Sequence, residues 1–261
     1  MIFVVRKYCS PKIFEKIIMA LIGGDGSTLA VNISGMRKKY KDNSDVFTES
    51  DITDKNPYSL FKIWFDEACK NPQIFEANAM CLATASRSGM PSCRYVLLKG
   101  YGTDGFKFYT NYESRKGKEL AENPVAALNF YWAPLVRQVR IEGVVEKLSE
   151  QESDEYFHSR PVDSQIGACI SHQSTVISGR EELIEAGHKI REEYVSRGKE
   201  IPRPNEWGGF IVKPTTFEFW QGQSDRVHDR IRFRRLEENE TSDEIRIHKG
   251  KDGWVYERLA P

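Results

Sequence analysis

The sequence predicts a mainly β protein, a closed or partly closed antiparallel β-barrel with a few peripheral helices. Three observations predict it. Many short runs rich in β-branched and aromatic residues follow one another through the middle and the end of the chain. Turns that contain glycine, such as residues 87–91 and Asp104-Gly105, join neighbouring runs. A few helical segments interrupt the pattern without replacing it.

The predicted strands form two groups. The first lies in the middle of the chain and covers residues 79–86, 92–98, 106–110, 125–132 and 137–148. The second lies towards the end and covers residues 209–213, 216–220, 230–234, 244–248 and 254–258. We expect these strands to pair antiparallel, because short connections and hairpin turns separate most of them.

Four helices are predicted between the strands. Residues 58–70 carry apolar side chains at helical spacing. A second helix covers residues 114–122, with Ser114 as its N-cap and Pro124 beyond its end. Ser149 caps a third, which must end near Pro161. Residues 180–197 form a fourth, whose many charges predict an exposed surface.

Composition excludes several classes of function. The formal net charge of the 261 residues is zero, so no global field attracts nucleic acid or an acidic membrane, and any anion site must be local. The five cysteines are widely spaced and none forms a CxxC pair, which argues against a zinc site or a disulfide framework. We therefore expect no metal and a reducing, cytoplasmic compartment.

The first 35 residues are interpreted as a leader that is poorly ordered. None of its apolar stretches reaches the roughly 20 residues needed to span a bilayer. Four basic residues and one acidic residue occur in residues 1–22, so a mitochondrial targeting role stays open as an alternative.

A first candidate anion site lies at the start of the second predicted helix. Arg115 and Lys116 occupy its first turn, where cations oppose the helix dipole and free N–H groups point outward. Both features favour a bound anion such as phosphate. The alternative is that the two side chains extend into water.

A second and a third segment carry similar chemistry. The segment Arg94–Lys99, in and just after the predicted strand 92–98, has a cation at each end. Its backbone could face a flat ligand, or the two cations could be solvated strand ends. Tyr156 and Arg160 share one helix face, and Ser164 follows, a donor set that suits a phosphate monoester. Alternatively, Tyr156 packs and Arg160 pairs with a carboxylate such as that of Glu155.

The fourth segment follows residue 219. If the chain is extended beyond Ser224, Arg226, His228 and Arg230 lie on one face and would repel one another unless an anion or an electron-rich ring lies over them. An exposed edge strand with alternating charges is the alternative. Gln138 could contact the edge of a heterocycle.

The sequence contains neither a GxGxxG nor a P-loop motif, and no Ser-His-Asp or Cys-His set stands out.

Several motifs together resemble one known family. They are RYVLLK at 94–99, FYTNYESRKGKEL at 108–120, RQVRIEG at 137–143, YFHSRPVDSQIGA at 156–168, SHQS at 171–174, WGGF at 207–210, EFWQGQ at 218–223, RVHDR at 226–230 and ERLAP at 257–261. In this order they closely resemble the pyridoxine (pyridoxamine) 5′-phosphate oxidase family. The resemblance runs from about Met36 to Pro261, which defines one domain over 36–261.

The resemblance implies an FMN-binding split β-barrel that works as a homodimer with FMN at the subunit interface. It implies that the flavin is held by Arg94, Tyr95, Val96, Leu97, Tyr109, Thr110, Arg115, Lys116, Gln138, Gln173, Ser174, Trp220 and Arg230. It implies that the substrate is bound by Lys99, Tyr156, Arg160, Ser164, Arg226, Val227 and His228, with Arg37 and Tyr40 closing over the ring as a lid. Arg226 and His228 are the residues expected to act on the reacting ring.

The activity that the resemblance implies is oxidation of pyridoxine 5′-phosphate and pyridoxamine 5′-phosphate to pyridoxal 5′-phosphate. A hydride would pass to flavin N5, and dioxygen would reoxidise the flavin to give hydrogen peroxide. Two other functions stay open: a split-barrel flavin reductase-like protein and a non-catalytic pyridoxal phosphate carrier. The reductase would not need the substrate-binding set as a whole. No nucleic-acid or membrane partner is expected.

Overall fold

The structure is a computed structural model that describes residues 33–36, 40, 46–238 and 240–261. The chain divides into two compact units, Met1–Tyr40 and Lys41–Pro261. The fold and the candidate site described below belong to the second unit.

Ten strands make up most of the second unit. They are β1 Ala79–Ala85, β2 Pro91–Leu97, β3 Gly100–Gly102, β4 Gly105–Asn111, β5 Val125–Trp132, β6 Arg137–Lys147, β7 Trp207–Gln221, β8 Asp229–Arg235, β9 His248–Lys249 and β10 Trp254–Arg258. Five α-helices lie between them: α1 Pro57–Lys70, α2 Arg115–Glu122, α3 Glu150–Ser159, α4 Val162–Ile170 and α5 Arg180–Glu193. Short 3₁₀ helices cover Glu49–Asp51, Ala133–Leu135 and Val195–Arg197. The mainly β, antiparallel class predicted from the sequence is confirmed.

All strands join one sheet, which branches at β7. Its order is β2-β1-β5-β6-β7-β8-β10-β9, and every pairing is antiparallel. The 15-residue strand β7 pairs with β6 along most of its length. On its other side, residues 207–212 pair with β4 and residues 216–221 pair with β8. On this side of β7 the sheet therefore divides into two branches. One branch begins with β4 and the other with β8.

Helix α1 closes the core against this sheet. Asn56 caps it by accepting a hydrogen bond from the Tyr58 backbone N–H at 2.9 Å, and Pro57 occupies the first turn, where a missing N–H costs nothing. Phe61 has no exposed surface and packs edge-to-face on Phe106 and Phe130, with ring centroids 4.9 and 5.3 Å away. This aromatic packing fixes β4 and β5 in place.

The predicted helix starts are confirmed where a serine cap is present. Ser114 Oγ accepts from the Gly117 backbone N–H at 3.3 Å, and Ser149 Oγ accepts from the Glu152 N–H at 3.1 Å. Helix α3 ends at Ser159, as Pro161 requires. The sequence reasoning missed α4, because Pro161 both ends one helix and begins the next. It also missed the short strand β3.

Two strand predictions were wrong in extent. Residues 209–213 and 216–220 belong to one continuous strand, β7. The predicted strand at 244–248 does not form, and only His248–Lys249 pairs with β10. The reason is local: Asp243 Oδ1 accepts hydrogen bonds from the backbone N–H groups of Ile245, Arg246 and Ile247 and so holds a turn.

Candidate functional site

A cavity of about 570 Å³ lies among β2, β4, the start of α2 and the α3–α4 junction. We call it the β2–β4 cavity. Its lining is Arg94, Tyr95, Val96, Leu97, Lys99, Tyr109, Thr110, Lys116, Tyr156, Arg160, Pro161, Ser164, Gln173 and Trp207. Twelve of these fourteen residues were predicted from the sequence, eight as flavin contacts and four as substrate contacts. The structure therefore brings part of each predicted group into one cavity.

Strand β2 forms one wall of the cavity. It lies at the edge of the sheet and, within the described residues, pairs only with β1. Side chains alternate between the two faces of a strand, so four successive residues, Arg94 to Leu97, can line one cavity only if the strand edge borders it. The unpaired edge has backbone donors and acceptors available, and their contact with a flat ligand stays a prediction.

Lys116 supplies a buried positive charge to the cavity. The residue is only 8% exposed, and its Nζ donates to Thr110 Oγ1 at 3.0 Å, Ser114 Oγ at 3.2 Å and Gln173 Oε1 at 2.5 Å. No carboxylate of the described residues forms an ion pair with it. Burial, with a further contribution from Arg94, lowers the pKa of Lys116 to about 8. A buried ammonium among neutral oxygens is expected to have an anionic partner.

Arg115 has a different environment from Lys116. Its side chain is 59% exposed, and its Nε donates to Glu119 Oε1 at 2.9 Å. Its backbone N–H donates to Ser174 Oγ at 3.2 Å, which places Ser174 at the start of α2. The structure thus places Ser174 beside the predicted anion site, while the Arg115 guanidinium is not part of the cavity lining.

Glu119 organises this side of the cavity, and sequence reasoning missed it. Its buried carboxylate accepts from Thr84 Oγ1 and Ser92 Oγ, each at 2.5 Å, and lies 3.4 Å from the Arg94 guanidinium. Burial disfavours the charged form, but the hydrogen bonds from Ser92, Thr84 and Arg115 outweigh it and lower the pKa of Glu119 to about 2. Arg94 is held by this carboxylate rather than mobile. A glutamate one turn after Arg115 was the available signal.

Arg160 supplies the second charge. It lies one residue beyond α3, in an extended conformation, so it is not within the helix as predicted, yet it still lines the cavity with Tyr156 and Ser164. Its Nη1 is buried and has no hydrogen-bond partner among the described residues. Burial lowers the pKa of Arg160. The alternative pairing with Glu155 is not observed, because Glu155 accepts from Gln151 instead.

Trp207 and Pro161 are the two lining residues that sequence reasoning missed. The Arg160 guanidinium carbon lies 4.6 Å from the centroid of the Trp207 ring. Tyr156 stacks on Tyr109, with ring centroids 3.8 Å apart, and both rings are nearly parallel to the Trp207 indole. The WGGF motif begins at Trp207, but nothing in the motif indicates a contact with Arg160.

The remaining predicted residues form a second group, which we call the C-terminal cluster. It consists of Gln138, Trp220, Arg226, Val227, His228 and Arg230. Gln138 and Arg230 pair with Trp220 across the sheet, and the His228 ring lies 5.0 Å from the Trp220 ring. Glu218, buried and also missed, accepts from Arg230 Nε at 2.8 Å. None of the cluster lines the β2–β4 cavity.

Strand β7 separates the two groups. Trp207, in the cavity, and Trp220, in the C-terminal cluster, lie near its opposite ends, roughly 40 Å apart along an extended strand. Within one copy of this chain, β7 therefore keeps the C-terminal cluster away from the β2–β4 cavity.

The prediction that Arg226, His228 and Arg230 share one face of an extended strand was wrong. Strand β8 begins only at Asp229, and Arg226 has a φ of 74°, which is left-handed backbone. Two hydrogen bonds shape the turn: the Val227 N–H donates to Asp225 Oδ1 at 2.9 Å, and the Gln223 N–H donates to His228 Nδ1 at 2.9 Å. The loop presents Arg226 and Val227 to the outside, the latter 65% exposed.

The two predicted lid residues stay a prediction. Arg37 lies outside the described residues, and Tyr40 belongs to the first unit of the chain. Within the described ranges, no helix is long and apolar enough to cross a membrane. The same ranges contain no group of three or more histidine, cysteine or acidic side chains arranged to hold a metal ion.

Comparisons with known proteins agree with this geometry. The family described as "Pyridoxamine 5′-phosphate oxidase" matches residues 66–192. The family described as "Pyridoxine 5′-phosphate oxidase C-terminal dimerisation region" matches residues 207–261. A Bombyx mori protein named pyridoxine/pyridoxamine 5′-phosphate oxidase is 54% identical over 233 residues, which cover 89% of this chain and 91% of that protein.

Two solved structures share the fold. PhzG from Burkholderia lata 383, in complex with tetrahydrophenazine-1-carboxylic acid, has a TM-score of 0.71 at 30% identity and covers 84% of this chain and 98% of its own. A pyridoxamine 5′-phosphate oxidase-related, FMN binding protein from Nostoc punctiforme has a TM-score of 0.57 at 14% identity. The match covers 79% of this chain and 98% of that protein. The predicted split-barrel class is confirmed.

Proposed function

We propose, because this chain belongs to the pyridoxine/pyridoxamine 5′-phosphate oxidase family, that it oxidises pyridoxine 5′-phosphate and pyridoxamine 5′-phosphate to pyridoxal 5′-phosphate with FMN as cofactor. The observation that carries the proposal is the pair of desolvated cations in one cavity. Lys116 and Arg160 come from different elements, and neither has a carboxylate partner among the described residues. Two phosphate groups, one on FMN and one on the substrate, would supply the missing charges.

The residues around Lys116 fit the FMN phosphate. A phosphate there would meet the Nζ of Lys116, the start of α2 and the hydroxyls of Thr110 and Ser174. The edge of β2 would face the ring system along Arg94 to Leu97. When bound, FMN would supply the redox chemistry by accepting a hydride at N5 from the carbon attached to C4 of the substrate ring, with dioxygen as the final oxidant and hydrogen peroxide as its product. With the amine substrate, water would then hydrolyse the imine and release ammonia.

The residues around Arg160 fit the substrate phosphate. Arg160 can offer two parallel N–H donors, while Tyr156 and Ser164 add hydroxyls and Lys99 adds a second charge from the end of β2. With both phosphates fixed in one cavity, the two rings would be held in a defined mutual orientation, which lowers the entropic cost of the reaction.

A second copy of the chain would complete the site. The C-terminal cluster cannot reach the cavity of its own copy along β7, and residues 207–261 match a dimerisation region. We therefore place Arg226 and His228 of the partner subunit over the substrate ring, with Gln138, Trp220 and Arg230 beside the flavin. There, Arg226 and His228 would orient the ring and stabilise charge as the substrate oxygen or nitrogen loses its proton. Arg37 and Tyr40 stay proposed as a lid.

The proposal is tested by one assay. The purified protein with bound FMN should consume oxygen and form pyridoxal 5′-phosphate when it is given pyridoxine 5′-phosphate. Product binding without oxygen uptake would indicate a carrier. Flavin reduction by a nicotinamide nucleotide, with no response to the pyridoxine compound, would indicate a flavin reductase-like protein. Either outcome would overturn the proposed reaction.

Replacing Arg160 tests the substrate-phosphate assignment. We expect Arg160→Ala to raise KM for pyridoxine 5′-phosphate roughly 30- to 100-fold, because a bidentate charged contact is lost, while FMN content stays at the wild-type level. Steady-state oxygen uptake and the flavin absorbance of the purified protein measure the two quantities. Arg191→Ala is the matched control, since Arg191 of α5 pairs with Asp163 of α4 and does not line the cavity. An unchanged KM in Arg160→Ala would contradict the assignment.

A further inference from the structure

The backbone of Trp207 is held on both sides. Trp207 opens β7, pairs with Asn111 of β4 and is 6% exposed. The backbone N–H of Trp207 donates to the Pro204 carbonyl at 3.0 Å, and the backbone carbonyl of Trp207 accepts from Arg203 Nη1. The indole therefore projects into the cavity from a backbone that is held on both sides.

The indole face takes the place that a carboxylate usually has beside a buried arginine. The Arg160 guanidinium carbon lies 4.6 Å from the Trp207 ring centroid, within the range of a cation–π interaction. Arg160 forms no ion pair with any carboxylate in the described part of the chain, and its Nη1 is buried without a hydrogen-bond partner there. The charge is thus stabilised by a π face that occupies none of its N–H donors.

The Trp207 ring also lies parallel to Tyr156. The two ring centroids are 6.2 Å apart at an interplanar angle of 6°, while Tyr109 stacks more closely on Tyr156, at 3.8 Å. Of the proposed phosphate donors, Trp207 therefore contacts Arg160 directly and belongs to the aromatic group that holds Tyr156.

We propose that Trp207 is a positioning residue for the substrate phosphate. A carboxylate partner would hold Arg160 equally well, but it would compete with the phosphate for the guanidinium donors. The indole holds the cation and leaves the donors available. This inference rests on the proposed function, because it takes the anion bound by Arg160 to be the phosphate of the substrate.

A graded series of variants tests the proposal. Cation–π attraction is strongest for tryptophan and weaker for phenylalanine, and leucine has none. For pyridoxine 5′-phosphate we expect KM to rise about threefold in Trp207→Phe and about tenfold in Trp207→Leu, with kcat within about twofold and FMN content unchanged. The inhibition constant of inorganic phosphate, a probe without a ring, should rise in the same order.

Phe157→Leu is the matched control. Phe157 has no exposed surface and packs edge-to-face on Trp207 at 5.4 Å, but it does not line the cavity. Its loss disturbs the same aromatic group without removing the face under Arg160, so KM should stay near the wild-type value. An equal rise of KM in Phe157→Leu would show a merely structural role.

Two further outcomes decide the question. Wild-type KM in a folded Trp207→Leu protein that retains FMN would overturn the positioning role. If Trp207→Leu does not fold, Trp207→Phe carries the test, and an unchanged KM and phosphate inhibition constant in that variant would overturn it. Failure of the wild-type protein to oxidise pyridoxine 5′-phosphate would instead refute the proposed function, so the two failures are distinguishable.

Discussion

Lys116→Ala should be purified largely without flavin. The variant removes the buried ammonium that donates to Thr110 and Gln173, and with it the charge that we assign to the FMN phosphate. A charge-assisted contact of this kind is worth roughly 2–3 kcal/mol, so we expect the FMN dissociation constant to rise roughly 30- to 150-fold. Titration of the apoprotein with FMN, followed by flavin fluorescence, measures it.

Lys118 provides the control for this variant. It lies two residues further along α2 and its side chain is 63% exposed, so Lys118→Ala removes the same charge from the same helix without touching the cavity. FMN affinity in Lys118→Ala should equal that of the wild type. Full flavin occupancy in Lys116→Ala would show that the phosphate is bound elsewhere.

The low pKa of Lys116 adds a pH dependence. Burial, with Arg94 nearby, lowers this pKa to about 8 in the unliganded cavity, and a bound phosphate would keep the ammonium charged. Binding above pH 8 must then take up a proton. FMN affinity should be constant below pH 8 and fall above it, by up to about tenfold per pH unit. In Lys116→Met the profile from pH 7 to 9.5 should be flat, and a flat profile in the wild type would contradict the assignment.

The second large effect is expected for Arg226→Ala. Arg226 lies in an exposed loop of the C-terminal cluster, and we place it over the substrate ring of the partner subunit's cavity. Removing one donor aimed at developing charge costs roughly 100-fold or more, so kcat/KM for pyridoxine 5′-phosphate should fall about 100-fold. FMN content and dimer mass should not change. Stopped-flow reduction of the flavin would show the loss directly.

Asp225→Asn is the control for the shape of this loop. The Asp225 Oδ1 atom accepts from the Val227 N–H, and an asparagine oxygen can accept the same bond. The kcat/KM of the Asp225→Asn variant should stay within about twofold of the wild-type value. If Arg226→Ala retained wild-type kcat/KM, Arg226 would have no role at the ring.

Local signals were enough to predict most of the elements. Serine caps fixed the starts of α2 and α3, and Pro161 fixed the end of α3, because each acts within a few residues. The prediction of a strand at 244–248 was wrong for a reason that is also local. There the side chain of Asp243 offers the backbone another set of hydrogen bonds, which hydrophobic pattern alone does not reveal.

The geometry of the site depended on contacts that are distant in sequence. Arg160 and Trp207 are far apart along the chain, and the packing of α3 against the start of β7, where the Gly209 N–H donates to Ser153 Oγ, brings them together. Sequence motifs could indicate that Arg160 and Arg226 serve one site, but not that β7 holds them apart within one copy. Sheet register, rather than composition, decides which residues meet.

The central claim is that each site combines the β2–β4 cavity of one copy with the C-terminal cluster of its partner. Co-expression of Arg160→Ala and Arg226→Ala chains with different tags, followed by purification through both tags, isolates mixed dimers. One of their two sites would have an intact cavity facing an intact cluster, so kcat/KM should recover to about half of the wild-type value. Activity no higher than the mean of the two variants would contradict the claim, because it would mean that each chain builds its site alone.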